Sequence, residues 1–462
     1  MTTSDELVDS DELVDAIGKL SDSAVADLMD FIRIRSVYDE KDLRPVKDAA
    51  NWCQKKLTGA GVKPEHVEQK CIGDPTKNAP LVYATCGPDE VPAGTPTVLL
   101  YAHYDVVDDG GWEEAWDPKL VDDKKRVRGR GAADDKSGVM MHLGALRAFK
   151  GKPPVPLKIV LEGEEESGDT LEGYVRKNKD LFTADVIVIA DTGNYKLGEP
   201  TLTTSLRGVV AVDVTVSTLR KPKHSGVYGG PPPDAFMALT RILWALLDDK
   251  GDVAIPGLVR DHWSGEESDE AAFRAEAGIL PQVKLIGSDT LGSRLYVRPS
   301  VNVTGLSGPR PYAKPVNQLT DTASARVSLR IAPSQDPEDA IAKLERFIER
   351  PELNPWNAEV TVERADSGAG FQADTTQPGY TVARKAMEKA YPGKETVYVG
   401  DGGTIPLVTE LQQINPKATV LLIGCEEPLC NIHSSPESVD IDELAAMTLA
   451  ECSLLRLLAS KR

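Results

Sequence analysis

Short apolar segments alternate with amphipathic segments along the first two hundred residues of the chain. The apolar segments are continuous, which is typical of strands whose two faces are both covered by helices. In the segments between them, apolar residues recur at the i, i+3 and i+4 spacing of a helix. The same alternation returns near the C-terminus. The predicted strands are 97–101, 157–161, 185–190 and 418–423, and the predicted helices are 46–57, 136–149, 380–391 and 441–458.

The middle of the chain has a different pattern. Residues 209–216 alternate in part between apolar and polar positions, as a strand with one solvent-facing side does. An amphipathic helix is predicted over 234–247, and its apolar stripe consists of Phe236, Leu239, Leu243, Trp244 and Leu247. The remaining predicted elements are strands at 301–303, 325–331 and 359–362 and a helix at 337–348.

The two patterns predict two domains. Residues 1–201 and 375–462 would form an α/β domain, in which a mostly parallel sheet is covered by helices and carries the candidate catalytic groups. Residues 202–374 would form an inserted α+β sandwich domain. The apolar stripe of helix 234–247 belongs either to the core of this inserted domain or to an interface between two copies of the chain.

Composition and charge narrow the possible partners and setting. The chain has 462 residues, of which 41% are hydrophobic, enough for packed cores in more than one domain. Its formal net charge of −19 disfavours nucleic acid and anionic membranes, because both would repel the chain. The sequence shows no signal-peptide pattern, no apolar run long enough to cross a membrane, and six cysteines. These features predict a cytoplasmic protein.

His103 and Asp105 follow the predicted strand 97–101. In an extended segment their side chains point to the same side, because side chains alternate along a strand. An aspartate at this spacing can accept the second N–H of a metal-bound imidazole and thereby orient the ring. Taken alone, such a pair is more often a surface feature.

Carboxylates dominate the next two segments. Asp134 and Asp135, in GRGAADDKSG, precede helix 136–149; the paired charges would repel a phosphate and suit a cation. The acidic run EGEEESG directly follows the predicted strand 157–161. Because open α/β sheets place their sites at the carboxyl ends of strands, a merely solvated loop is the weaker interpretation. Of two adjacent glutamates, one can bind a cation while its neighbour stays free as a base.

Two further candidates complete the set. Asp191 ends the strand 185–190, and His433 lies in the segment NIHSSPE. Cys425 and Cys430 lie near His433, which raises a zinc clip as an alternative. Two core thiols are the better interpretation, because no second Cys/His pair completes a tetrahedral site. A serine hydrolase is disfavoured because the sequence contains no G-x-S-x-G elbow.

Each motif is common by itself, but together they form one constellation. Two sets of one histidine and one carboxylate, with Asp134 shared between them, predict a two-metal site of oxygen and nitrogen ligands. Such ligands suit Zn²⁺, Mn²⁺ or Co²⁺, with an activated water between the two cations.

Five segments, in their order along the chain, resemble the co-catalytic zinc peptidases. They are YAHYDVV, GRGAADDKSG, EGEEESG, IADTGNY and CNIHSSPES. This family includes carnosinases, cytosolic non-specific dipeptidases, carboxypeptidase G, aminoacylases and succinyl-diaminopimelate desuccinylase. The segment KHSGVYGG looks most like the carnosinase and non-specific dipeptidase branch. The resemblance extends from about residue 20 to the end of the chain.

The resemblance implies a role for each matched ligand. His103 and Asp191 would hold one metal ion, Glu166 and His433 would hold the other, and Asp134 would bridge them. The expected cofactors are two divalent cations, with zinc first and manganese or cobalt as alternatives.

The resemblance also implies catalytic roles. Glu165 would be the general base, and Asp105 would orient His103. His224, in the inserted domain, matches a histidine that reaches the site of the partner subunit and polarises the scissile carbonyl. The inserted domain would accordingly act as a lid and as the contact of a homodimer.

Substrate-binding residues follow from the same resemblance. Arg330 would hold a substrate carboxylate, and Gly403 and Thr404 would line the pocket, where serine is commoner than Thr404. The implied activity is hydrolysis of dipeptides or short peptides with a free C-terminal carboxylate. An N-acyl amino acid deacylase or desuccinylase with the same metal site is the alternative, and an inactive metal-binding scaffold is a third interpretation.

Overall fold

The computed structural model describes residues 10–168 and 170–460. The chain separates into two compact units. The first unit comprises Met1–Thr204, Ala373–Val399 and Leu407–Arg462, and the second comprises Ser205–Gln372 and Gly400–Pro406. The domain boundaries expected from the sequence were 202 and 374. The segment Gly400–Pro406 was expected in the first domain but belongs to the second unit, because Thr404 bonds to Arg207 and Arg330 there.

Helices are distributed over both units. They are α1 (Ser10–Ile32), α2 (Arg44–Gly59), α3 (Lys136–Ala148), α4 (Thr170–Lys177), α5 (Lys179–Phe182), α6 (Ser225–Tyr228), α7 (Ala235–Trp244), α8 (Glu270–Glu276), α9 (Leu291–Tyr296), α10 (Pro337–Ile348), α11 (Pro378–Ala390), α12 (Pro406–Ile414) and α13 (Ile441–Ser460). Each helix predicted from the hydrophobic pattern is present, with ends that shift by a few residues at most. Within the described residues, no helix is both long enough and apolar enough to span a bilayer.

The strands are likewise numbered along the chain. They are β1 (Val67–Cys71), β2 (Pro80–Cys86), β3 (Val98–His103), β4 (Lys119–Val121), β5 (Arg126–Arg128), β6 (Leu157–Glu162), β7 (Val186–Ile189), β8 (Thr201–Leu206), β9 (Gly208–Ser217), β10 (Lys223–His224), β11 (Ser300–Ser307), β12 (Gln318–Leu319), β13 (Thr322–Ile331), β14 (Glu359–Gly368), β15 (Phe371–Gln372), β16 (Val397–Asp401), β17 (Thr419–Leu422) and β18 (Ser438–Asp440).

The first unit is built on a mixed sheet whose central strands are parallel. Its strands run in the order β1-β2-β6-β3-β7-β17-β8. The pairs β3–β6, β3–β7 and β17–β7 are parallel, whereas β1–β2 and β2–β6 are antiparallel. Every residue of β3 and β7 is buried, as expected for strands covered by helices on both faces. The carboxyl ends of β3, β6 and β7 therefore meet at one edge, where the acidic and imidazole side chains lie.

The second unit has an antiparallel sheet in the order β11-β13-β9-β14. Along β9, Val210, Val212, Val214 and Val216 are buried and pack in one core with residues of α7 and α10. The alternation of buried and exposed positions along this strand is that of a sheet covered by helices on one face.

The predicted stripe of α7 is divided between the core of the second unit and its surface. Leu239 is buried, and Phe236, Leu243 and Leu247 pack against the core of the second unit. Trp244, however, is 80% exposed. The buried face of the helix instead follows Ala235, Ala238, Leu239 and Ile242, which places Trp244, the last helical residue, outside the core.

Candidate active site

His103 ends β3 and is fully buried. Its Nε2 atom lies 3.0 Å from Oδ1 of Asp134 and 3.4 Å from Oδ1 of Asp191. On the other side of the ring, Nδ1 lies 3.1 Å from the backbone oxygen of Asp105 and 3.5 Å from its Oδ1. The carbonyl is thus the nearer acceptor, although the sequence suggested the carboxylate. Because Asp105 engages Nδ1, Nε2 is the nitrogen that faces the cluster of carboxylates.

The Asp105 carboxylate fixes the acidic loop that follows β6. Its two oxygens accept hydrogen bonds from the backbone N–H groups of Glu165 and Glu166, each at 3.1 Å. Asp105 is fully buried, so these bonds are shielded from water. One aspartate therefore positions both His103 and the loop of the two glutamates.

Asp134 lies between the two histidines. Its Oδ1 faces Nε2 of His103, and its Oδ2 lies 2.9 Å from Nε2 of His433. The same His433 nitrogen is 3.1 Å from Oε2 of Glu166. The five ligand candidates are thus gathered as two sets that share Asp134, one with His103 and Asp191 and one with His433 and Glu166.

The donor set suits divalent cations. Ligand atoms of His103, Glu165 and Asp191 lie within 4.8 Å of one another, as do those of His103, Asp134 and Glu166. Oε1 of Glu166 is buried and has no hydrogen-bond partner among the described residues. Several buried carboxylates facing two imidazoles repel one another unless positive charge lies among them. A bare carboxylate oxygen at this point fits a metal ligand.

Burial, hydrogen bonds and neighbouring charges shift the pKa values of the groups in this cluster. Hydrogen bonds to Asp134 and Glu166 raise the pKa of His433 to about 10. Burial raises the pKa of Asp191 to about 6. For Glu165, burial and then the charge of Asp191 raise the pKa well above its usual value. Burial and the neighbouring negative charges therefore favour the presence of positive charge in this cluster, and they make the Glu165 carboxylate a better proton acceptor.

Glu437 is a residue of the site that the sequence patterns did not indicate. Its Oε1 accepts from the N–H groups of Ala133 at 2.9 Å and Asp134 at 3.2 Å. Its Oε2 accepts from Nη1 of Arg130 at 2.8 Å and from the N–H of Gly131 at 2.9 Å. Glu437 is the last residue of the segment NIHSSPE that carries His433, so its hydrogen bonds join this loop to the loop of Asp134. In the sequence, the only signal for Glu437 is that it is an acidic residue shortly after the candidate ligand His433.

Glu426 was also missed. Its carboxylate forms a group with those of Asp134 and Asp191, within 4.8 Å. It lies in the loop after β17, where Gly193 pairs with it by a β-bridge. The strand-end argument would have indicated Glu426, since β17 is parallel to β7 and ends at the same edge.

Cys425 and Cys430 are buried free thiols. Among residues 10–168 and 170–460, no candidate metal group includes a cysteine. The burial of Cys425 and Cys430 agrees with the favoured interpretation, in which both are core thiols.

The substrate-side candidates belong to the second unit. Nη1 of Arg330 donates to Oγ1 of Thr404 at 2.9 Å, and that hydroxyl donates to the carbonyl of Arg207. The N–H of Gly403 donates to the carboxylate of Asp401. His224 is exposed and caps the short helix α6, where its Nδ1 accepts from the N–H of Gly226 at 3.1 Å. The functional roles of these residues remain predictions.

Comparison with known proteins is consistent with this geometry. The family model described as peptidase family M20/M25/M40 matches residues 99–456. A cysteinylglycine-S-conjugate dipeptidase of Corynebacterium striatum is 36% identical over 422 residues, which cover 88% of this chain and 89% of that protein. The β-Ala-His dipeptidase of Mus musculus is 28% identical over 79% of this chain and 77% of its own length.

Solved structures share the fold over nearly the whole chain. The dipeptidase Dug1p from Saccharomyces cerevisiae superposes with a TM-score of 0.82 at 22% identity, covering 98% of both chains. Human carnosine dipeptidase 1 superposes with a TM-score of 0.80 at 23% identity, covering 97% of this chain and 98% of that one. From the family model and the relative at 36% identity, this chain belongs to peptidase family M20/M25/M40.

Proposed function

We propose that this protein is a dipeptidase that uses two divalent cations, with zinc as the first expectation, to hydrolyse dipeptides with a free C-terminal carboxylate. Family membership makes the protein a metal-dependent hydrolase of peptide bonds. The observation that carries the narrower proposal is the position of the Asp134 carboxylate, whose two oxygens face His103 and His433 separately. The names of the relatives, which include Cys-Gly and β-Ala-His dipeptidases, support dipeptides as substrates.

Five side chains would hold the cations. His103 and Asp191 would bind the first, His433 and Glu166 the second, and Asp134 would bind both through its two oxygens. When bound, such cations acidify a water molecule and polarise the scissile carbonyl. A bound cation would also give the buried Oε1 of Glu166, which has no hydrogen-bond partner among the described residues, a positive charge to interact with.

Glu165 would move the proton. Its backbone N–H is held by Asp105, and its carboxylate lies beside His103 and Asp191. Burial raises its pKa, which favours acceptance of a proton from the attacking water and its delivery to the leaving amine. His224 would donate a hydrogen bond to the developing oxyanion, a contribution worth about 10²–10³ in rate for one such donor.

Arg330 would bind the C-terminal carboxylate of the substrate. A guanidinium can pair with a carboxylate through two parallel hydrogen bonds, which favours short peptides that end within the site. The Cys-Gly and β-Ala-His relatives are named as dipeptidases, so the alternative of N-acyl amino acid hydrolysis is not favoured.

The homodimer remains part of the proposal. On the second unit, Met237 and Trp244 of α7 are 62% and 80% exposed, and Val303 and Leu306 of the edge strand β11 are exposed as well. Apolar side chains around an unpaired strand edge favour association with a second copy. Trp244→Glu should therefore convert a dimer to a monomer in light scattering, whereas the same change at exposed Leu280 should not. A Trp244→Glu protein with unchanged mass would contradict this surface.

The function is tested with a dipeptide library and a panel of N-acetyl and N-succinyl amino acids. Protein reconstituted with zinc, manganese or cobalt should hydrolyse dipeptides, and Glu165→Ala should lower kcat by about 10²–10⁴. Glu164→Gln is the matched control, because the neighbouring Glu164 accepts bonds from Ala79 and Asn78 and supports the loop. It should lower stability more than kcat.

Three results would contradict the proposal. Full turnover by Glu165→Ala would remove the assigned base. Hydrolysis confined to N-acyl amino acids would favour the deacylase, and metal binding without any hydrolysis would favour a scaffold.

A further inference from the structure

Two arginines of the second unit lie close together without an acidic partner. Arg207 connects β8 to β9, and Arg330 lies near the end of β13. Among the residues that the structure describes, no carboxylate forms an ion pair with either guanidinium, although Asp401 acts on Arg207 from a greater distance. Charged groups that are partly removed from water are normally paired, so this arrangement is unusual for a folded protein.

Neutral groups surround the Arg207 guanidinium. Nη1 donates to Oγ of Ser300 at 3.0 Å and to the carbonyl of Arg294 at 3.5 Å. Nε is buried and has no hydrogen-bond partner among the described residues. Nη2 lies against Gly402, where a β-carbon would come within 2.8 Å of it. The side chain is therefore held in place by a hydroxyl, a carbonyl and a glycine, and its charge is not neutralised.

Arg330 adjoins this group through the sheet. Ser300, the acceptor for Arg207, is the register partner of Arg330 on the neighbouring strand β11. Side chains directly opposite each other on an antiparallel pair lie on the same face. Thr404 links the two arginines further, since its hydroxyl accepts from Arg330 and donates to the carbonyl of Arg207. The two cations thus share one face and one loop.

The repulsion between the charges of Arg207 and Arg330 also favours binding of an anion. Burial and then the charge of Arg330 lower the pKa of Arg207 to about 10. Two like charges in a partly buried position destabilise each other, and a carboxylate placed between them would reverse that interaction. Guanidinium groups are also the side chains best suited to the planar, two-oxygen shape of a carboxylate.

We propose that Arg207 and Arg330 form one two-arginine clamp that binds the C-terminal carboxylate of the peptide substrate. The proposal rests on the proposed dipeptidase function and adds Arg207 to it as a specificity-determining residue. With this clamp, the protein would recognise the C-terminal residue of the substrate mainly by its free carboxylate. The side chain of that residue would contribute less.

The test compares a dipeptide with its C-terminal amide, for example Ala-Gly and Ala-Gly amide, on the metal-loaded full chain. Arg207→Met should lower the preference in kcat/KM for the acid over the amide by roughly 10- to 100-fold, the worth of one hydrogen bond to a charged group. The loss should appear mainly in KM. Arg207→Lys, which keeps the charge but not the planar group, should recover part of the preference.

The acid-to-amide preference distinguishes a clamp from an arginine that only supports its loop. If Arg207→Met lowers kcat/KM equally for acid and amide, Arg207 only supports the loop Gly400–Pro406 and the clamp is wrong. An unchanged preference would also overturn it. If Arg207→Met does not fold, Arg207→Lys decides alone, since an unaltered preference there refutes a role for the planar group. Wild-type protein that hydrolyses neither peptide would instead contradict the dipeptidase function itself.

Discussion

Substitution of Glu437 by Gln is the sharpest test of how the metal-ligand loops are held. Glu437 is almost fully buried, and its carboxylate accepts hydrogen bonds from one arginine and three backbone N–H groups of residues 131–134. Glutamine keeps the size of the side chain and removes its charge. It also replaces one acceptor oxygen with an NH₂ group, which can only donate.

The size of the effect follows from this geometry. Whichever way the amide turns, its NH₂ group meets two donors, so two of the hydrogen bonds are lost. Arg130, whose side chain is 3% exposed, would be left buried without an anion. Breaking a buried ion pair by removing one partner lowers the free energy of unfolding by about 3–5 kcal/mol. Loss of a residue that orients a ligand commonly weakens metal affinity by about 10–100-fold, and Asp134 is the proposed ligand that Glu437 orients.

Two measurements are needed. Zinc affinity is measured at 25 °C by competition with a chromophoric chelator, and the stability of the metal-free protein by urea unfolding. Glu443→Gln is the matched control, because Glu443 is equally buried and accepts bonds from Tyr391 at 2.8 Å and from the N–H of Gly198 at 3.1 Å. These partners lie outside the loop of Asp134. Glu443→Gln should lose stability and keep its zinc affinity.

The reasoning would be refuted in two ways. Wild-type zinc affinity in Glu437→Gln would show that the loop keeps Asp134 in position without the carboxylate. An equal loss of affinity in Glu443→Gln would show that the metal site responds to general loosening of the first unit. In either case Glu437 would not be a positioning residue for Asp134.

Two further predictions concern the metal and the proton. Removal of metal by a chelator should abolish hydrolysis. It should also lower the free energy of unfolding by about 4 kcal/mol for each metal ion that was present at a thousandfold excess over its Kd. Metal analysis that found fewer than two ions in active protein would contradict the shared role of Asp134. Zinc affinity should rise with pH from below the pKa of Asp191, about 6, up to the pKa of His433, about 10. His433, with its pKa raised to about 10, and Asp191, with its pKa raised to about 6, must lose protons before binding, so lower pH opposes it. Titration with proton release measured in two buffers checks this, and a flat profile would disprove it.

Local elements of the fold were predictable from the sequence. The apolar run 157–161 became β6, Leu157–Glu162, and helix 337–348 has the predicted ends. These elements follow from hydrophobic periodicity and neighbouring residues, which act over short distances along the chain. The ligand candidates were predictable for a similar reason, since each lies in a short motif at the end of a strand or the start of a helix.

Other features depended on contacts between distant parts of the chain. The sequence left open whether Trp244 lies in the core or on the surface, because the buried face of α7 is decided by the sheet on which it packs. Glu426 follows the predicted strand 418–423, but which ligand candidate it lies beside depends on the pairing of β17 with β7. No local spacing carries such information.

The sequence alone indicated most of the candidate cation ligands and the strands and helices whose ends carry them. Only the tertiary structure decided how those groups are held: Glu437 reaches the N–H of Asp134 across 303 residues of chain, and Arg207 adjoins Arg330 through strand pairing. The physical reason is that side-chain chemistry and periodicity are local properties. Hydrogen-bond partners, burial and neutralisation of charge depend on which distant segments fold together.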